Sequence, residues 1–138
     1  MTRVLIVDDE PDVRDSVGKL LSKAGYDVRV VGTAAAGLES FQKEGADLVI
    51  TDVIMPEQNG VDLIRALRVV GGAAPIIAIS GGGNFGPTGY APGSITTTAF
   101  LAAAQKVGAD AVLTKPFESK ELLDLVTDLL LRAGSSRP

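Results

Sequence analysis

A chain of 138 residues, 46% of them hydrophobic, can bury a core of its own as one domain, with no disulfide or metal to staple it. Its formal net charge of −4 argues against a face for nucleic acid or anionic lipid, both of which need clustered basic residues. The absence of Cys and His excludes disulfides, thiolate chemistry, Ser-His-Asp catalysis, phosphohistidine and Cys- or His-ligated metals, which leaves carboxylates, Lys, hydroxyls, backbone groups and a hard cation.

Val4 to Val7 is an apolar run that reads as the first buried strand of a parallel sheet. It is too short for a signal peptide, and no run approaches the ~18 apolar residues of a membrane span. A soluble cytoplasmic protein is the expectation. Asp8-Asp9-Glu10 follow, then Pro11, which suits the first turn of a helix, as acids there suit its dipole. Val13, Val17, Leu20 and Leu21 share one face of that helix, and Gly25 stops it. Asp27 to Val31 is a second strand. Thr33 caps a second helix, with Leu38 and Phe41 inward and Gly45 at its end.

Leu48 to Thr51 is the third strand, and it delivers Asp52 at its end. Met55-Pro56 and Gln58-Asn59-Gly60 then break the chain into a loop. The third helix runs from Gly60 or Val61 to Val69, with Leu63, Ile64 and Leu67 inward and Gly71-Gly72 as its stop. Pro75 to Ser80 is the fourth strand. A loop from Gly81 to Ile95 follows. Thr96 to Thr98 offer caps for a helix to Val107, with Phe100, Leu101 and Ala104 inward and Gly108 at its end. Ala111 to Leu113 is the fifth strand, Lys115-Pro116-Phe117 a turn, and Leu122, Leu123, Val126, Leu129 and Leu130 line the last helix. Arg132 to Pro138 reads as a flexible polar tail.

This alternation predicts a doubly wound α/β sheet with helices on both faces. In such a sheet the C-terminal strand ends share one rim, where ligands bind. Asp8-Asp9, Asp52, Ser80 and Thr114-Lys115 all stand at those ends. Three carboxylates gathered there repel unless a cation joins them. With oxygen donors alone, that cation should be Mg²⁺. Lys115 and Ser80 suit a phosphoryl oxygen as point charge and hydroxyl donor. Asp52 is then the natural nucleophile, able to become an aspartyl phosphate.

These motifs, with Gly60 entering the third helix, resemble a response-regulator receiver domain of two-component signalling, and specifically a stand-alone one. The resemblance covers Arg3 to about Leu131. It implies a flavodoxin-like (βα)5 fold with strand order 2-1-3-4-5, a receiver domain over residues 1–131 and a tail over 132–138. It also implies that Asp9 binds Mg²⁺ directly and Asp8 often through water, with Asp52 and the Ile54 carbonyl as further ligands. Asp52 is the phospho-acceptor, Ser80 bonds the phosphoryl oxygen and Lys115 pairs with it. A backbone amide at Gly81 can touch the same group. Glu10 is read as a helix-start acid.

The implied donor is a sensor histidine kinase or histidine phosphotransfer protein. Output would pass to a protein target by protein–protein contact, or the chain would serve as relay or phosphate sink, without nucleic acid or membrane. A turnover enzyme is not expected. The competing readings are a Mg²⁺-dependent phosphohydrolase on the same fold, which lacks the second acid of an Asp-x-Asp at Asp52-Val53-Ile54, and a pseudo-receiver that never takes up phosphate.

Two features depart from the family. Val112 stands where a Tyr or Phe commonly swings inward as the strand-four hydroxyl moves, so an aromatic switch is not expected. The 81–95 segment is long and Gly-rich, with six glycines, two prolines, Phe85 and Tyr90. Two readings of it stay open: a flap or partner contact anchored by Phe85 or Tyr90, and a tolerated insertion.

Overall fold

A computed structural model of the chain describes residues 2–53, 60–70, 74–80, 102–114 and 117–135. The elements follow in the order β1 (Arg3–Val7), α1 (Pro11–Lys23), β2 (Asp27–Val31), α2 (Ala34–Glu44), β3 (Leu48–Asp52), α3 (Gly60–Val69) and β4 (Ile76–Ser80). Helical residues 102–107 form α4, followed by β5 (Ala111–Thr114) and α5 (Ser119–Ser135). All four strand pairings are parallel, and the sheet order is β2-β1-β3-β4-β5. The expected doubly wound fold is therefore the observed one.

Alternation along the strands divides the core in two. Val4 and Ile6, Leu48 and Ile50, Ile77 and Ile79 and Leu113 pack with Val17 and Leu21 of α1 and with Leu122, Val126 and Leu129 of α5. Leu5 and Val7, Val49, Ile76 and Ala78 face Ala34 of α2, then Val61, Leu63, Ile64 and Leu67 of α3 and Ala104 of α4. β3 and β4 are buried at every residue, as central parallel strands covered on both faces must be. Each fully buried Val, Leu or Ile contributes roughly 1.5–3 kcal/mol, so this aliphatic core holds the sheet without help from Trp. β2 is one of the two edge strands and is largely exposed.

Local signals decide where helices begin and end. Pro11 opens α1, and the Thr33 hydroxyl accepts the Ala36 N–H at 3.1 Å to open α2. Gly25, Gly45 and Gly108 adopt positive φ at three of the expected stops, a conformation that residues with a Cβ rarely adopt. On α2 the fully buried positions are Ala34 and Gly37, while the expected Leu38 and Phe41 are half-buried and pack against the edge of that core. Small residues are needed there because α2 lies close to β1: a Cβ on Gly37 would stand 2.7 Å from Val7 Cγ2.

One boundary is corrected. Helix α5 continues to Ser135, so Arg132 to Ser135 are helical and not the start of a tail. Arg132 pairs with Asp128 at 3.1 Å one turn back, and Ala133 is a strong helix former. The stops at Gly71-Gly72, the caps at Thr96 to Thr98, the positions of Phe100 and Leu101, and the 81–95 loop lie outside the described residues.

The N-terminal end of β4 is pinned by one arginine. Arg68 of α3 donates to the carbonyls of Ala74 at 2.8 Å and Gly108 at 2.7 Å, and to Asp110 Oδ2 at 2.9 Å. Asp110 Oδ2 also accepts the Ile76 N–H at 2.8 Å. The other end of β4, where Ser80 stands, is thereby held in register with β3 and β5.

Candidate functional site

Strand register brings the chemical groups together. Val7 pairs with Thr51 across β1 and β3, so Asp8 and Asp52 are the next residues on neighbouring strands. Asp52 pairs with Ile79 of β4, which puts Ser80 one residue further along the same rim. Ser80 in turn pairs with Thr114 of β5. Adjacent strands lie ~4.8 Å apart, so the ends of β1, β3 and β4 fall within about 10 Å, close enough for their side chains to converge on one small anion and its metal.

Asp8 and Asp52 are 2% and 3% exposed, which is rare for carboxylates that lack a charged or metal partner. One carboxylate oxygen each from Asp8, Glu10 and Asp52 lie within 4.8 Å of one another. At about 4 Å two like charges cost roughly 4 kcal/mol even at an effective dielectric of 20. A divalent cation among them removes that cost, so the group could hold a metal ion.

The membership of this group differs from the sequence expectation. The sequence pattern groups Asp8 and Asp52 with Asp9 and reads Glu10 as a helix-start acid. Among the described residues it is Glu10 that joins the two aspartates, and Asp9 belongs to no such cluster. The cause is a local turn. Asp8 Oδ1 accepts the Glu10 N–H at 2.9 Å, folding the chain back over Asp8. Glu10 is extended at the N-cap of α1, yet its side chain makes no capping bond to that helix. An Asp two residues before a Glu-Pro helix start is the signal that could have found it.

The backbone of Asp8 is also held. Its N–H donates to the Val31 carbonyl at 3.1 Å, and its carbonyl accepts Arg14 Nη1 at 2.8 Å. Arg14 was not singled out from the sequence.

Two buried hydroxyls at the rim contrast. Thr51 Oγ1 donates to the main-chain oxygen of its neighbour Asp52 at 3.0 Å. Ser80 is 0% exposed, and its Oγ has no hydrogen-bond partner among the described residues. An orphaned buried hydroxyl costs stability, so its retention points to a ligand oxygen. Oxygen donors, close acids and this hydroxyl fit a hard cation with a bound oxyanion. Val112 is half-buried against the α3 and α4 side of the core, an aliphatic packing residue in the place of a ring. Ile54, Gly81, Phe85, Tyr90 and Lys115 lie outside the described residues.

Comparison with known proteins gives the same direction. The family model described as response regulator receiver domain matches residues 4–87. The sensory transduction protein RegX3 of Mycolicibacterium smegmatis is 31% identical over 136 residues, covering 99% of this chain and 54% of that protein. The DNA-binding transcriptional regulator NtrC of Bradyrhizobium sp. is 34% identical over 123 residues, covering 89% of this chain and 23% of that one. The chain thus spans about half the length, or less, of these relatives. Among solved structures, a CheY-like receiver domain protein from Methanospirillum hungatei superposes with a TM-score of 0.83 at 27% identity over 99% of both chains. The chemotaxis protein CheY4 of Vibrio cholerae gives 0.75 at 29% identity, covering 94% of this chain and 98% of that one. Among the described residues, no helix is long and apolar enough to cross a membrane.

Proposed function

The chain belongs to the response regulator receiver domain family, and from that premise we propose that Asp52 is its phospho-acceptor and that its rim carries Mg²⁺ during the transfer. The observation that carries this reading is the Ser80 hydroxyl, fully buried and without a partner among the described residues, on the strand beside Asp52. A residue placed so has its use in a state with a phosphoryl oxygen present.

Asp8, Asp52 and the Ile54 carbonyl would hold the metal, with Glu10 by its proximity and Asp9 by the family pattern. When bound, Mg²⁺ supplies positive charge against the oxygens of the transferring group. The work of the chain's own residues is positional. β3 fixes Asp52 so that a carboxylate oxygen faces the phosphorus of a phosphohistidine on the donor protein. An O–P bond forms, the P–N bond breaks, and its electron pair stays on the donor imidazole. The Ser80 hydroxyl donates to one phosphoryl oxygen, and Lys115 pairs with another.

The donor is a sensor histidine kinase or a phosphotransfer protein. The segment then signals through protein contact, or passes phosphate on, as a cytoplasmic switch that does not turn over an external substrate. Two relatives are named as DNA-binding regulators. With a net charge of −4, the present 138 residues lack the overall basic balance that favours that role, so we assign them contact with proteins. The receiver unit runs from β1 to α5.

Incubation with Mg²⁺ and a small phosphodonor, followed by intact-mass measurement, tests the reading. One phosphate should be gained by the native chain and none by Asp52→Asn. No gain with any donor or with a cognate kinase would sink it. Multiple-turnover release of phosphate from a small ester would replace it with an enzyme.

A further inference from the structure

We infer that Arg14 is a positioning residue for the metal site, and that Gly32 is the seat that lets its guanidinium reach Asp8. This deepens the proposed function and rests on its reading of Asp8 as a metal-side residue.

Three polar groups of Asp8 are fixed at once. Its N–H is bound by the Val31 carbonyl at 3.1 Å, its Oδ1 by the Glu10 N–H at 2.9 Å, and its carbonyl by Arg14 Nη1 at 2.8 Å. The last bond alone comes from a side chain on another element. Arg14 sits one turn into α1, its own N–H bonded to the Glu10 carbonyl at 3.1 Å, and its side chain reaches back toward the rim. There the guanidinium lies over Gly32, the residue that follows β2. A Cβ on Gly32 would stand 2.8 Å from Nη1 and 3.5 Å from Cζ. The clamp therefore ties the β1–α1 junction to the β2–α2 junction, with Asp8 between them.

A full positive charge is committed to a neutral carbonyl here. Among the described residues the Arg14 side chain makes that single hydrogen bond and no ion pair. Two opposite effects on metal affinity follow. As a charge near the acids, Arg14 repels a cation. As a brace for Asp8, it holds a carboxylate where a cation needs it, since ligands held loosely by their supporting groups bind metal more weakly. Our inference is that the brace outweighs the charge.

Substitutions at the two positions separate these effects. Gly32→Ala keeps the charge and moves the guanidinium. Gly32 does not have a positive φ, and the displaced atoms are the tip of a flexible side chain, so the variant should fold. Arg14→Ala removes charge and brace together, whereas Arg14→Lys keeps the charge and one donor. Mg²⁺ affinity is read from backbone amide shifts in a MgCl₂ titration, with no phosphodonor present, and thermal melting is followed in parallel.

Gly32→Ala and Arg14→Ala should each weaken Mg²⁺ about 10-fold. The double variant should be no weaker than Arg14→Ala, because both act through one contact. Arg14→Lys should recover most of the affinity. Tighter Mg²⁺ binding by Arg14→Ala with no change in Gly32→Ala would show that charge alone matters and overturn the inference. Lowered melting with unchanged affinity would reduce Arg14 to a structural residue and overturn it equally. A native chain whose amides do not respond to Mg²⁺ would overturn the proposed metal site, and this inference with it.

Discussion

Ser80 and Glu10 show how much a single side chain can decide at this rim. An orphaned buried hydroxyl costs roughly 1–3 kcal/mol. Ser80→Ala should therefore leave the metal-free protein as stable as the native chain or more so, by up to that amount. Phosphorylation of Asp52 should slow about 10-fold or more, the kinetic equivalent of one hydrogen bond to a charged group. Melting scans and mass-based phosphorylation rates on the same sample check both halves. A clear loss of stability would make Ser80 a structural residue and remove its link to phosphate. The strand-end positions of Ser80 and Asp52 are legible in the sequence because strand ends can be counted from apolar runs. The place of Glu10 is not, because it depends on a turn closed by one Asp8 to Glu10 hydrogen bond. Periodicity carries no information about which way a single acid beside such a turn will face.

Among the elements, α2 shows a limit of the same kind. Its boundaries follow from Thr33 and Gly45, and its apolar positions from helical spacing. It comes close to the sheet at Gly37, which reads in sequence as a weak point in a helix. Gly37→Ala would improve helix propensity by up to about 1 kcal/mol. The new methyl would meet Val7 Cγ2 at 2.7 Å, and Val7 is fully buried and stiff at χ1. Overpacking of this sort costs roughly 1–3 kcal/mol, so the variant should be less stable in chemical denaturation despite the better helix former. An unchanged or raised midpoint would mean that α2 can move off β1 freely. Arg68 was equally invisible. Its carbonyl partner Gly108 and its carboxylate partner Asp110 lie 40 and 42 residues away, so no local pattern announces them. Strands and helix faces come from short-range repetition, whereas these pins come from the topology that repetition produces.

For the whole molecule, folding and metal binding must be linked. The sheet order puts β1 beside β3 at its centre, and closing that pair brings Asp8 and Glu10 against Asp52. The folded state therefore gathers charges that the unfolded chain keeps apart, and a cation that binds only the gathered state stabilises it. At 100 times its dissociation constant, Mg²⁺ should add about 2.7 kcal/mol. For a domain of this size that raises the melting temperature by about 10 °C. Asp52→Asn should lose most of that gain, because it has lost a ligand. Melting curves of both proteins, in chelator and in excess Mg²⁺, would show the smaller rise of the variant. Parallel rises in the two proteins would place the cation away from Asp52 and separate the stability of the fold from the chemistry of its rim.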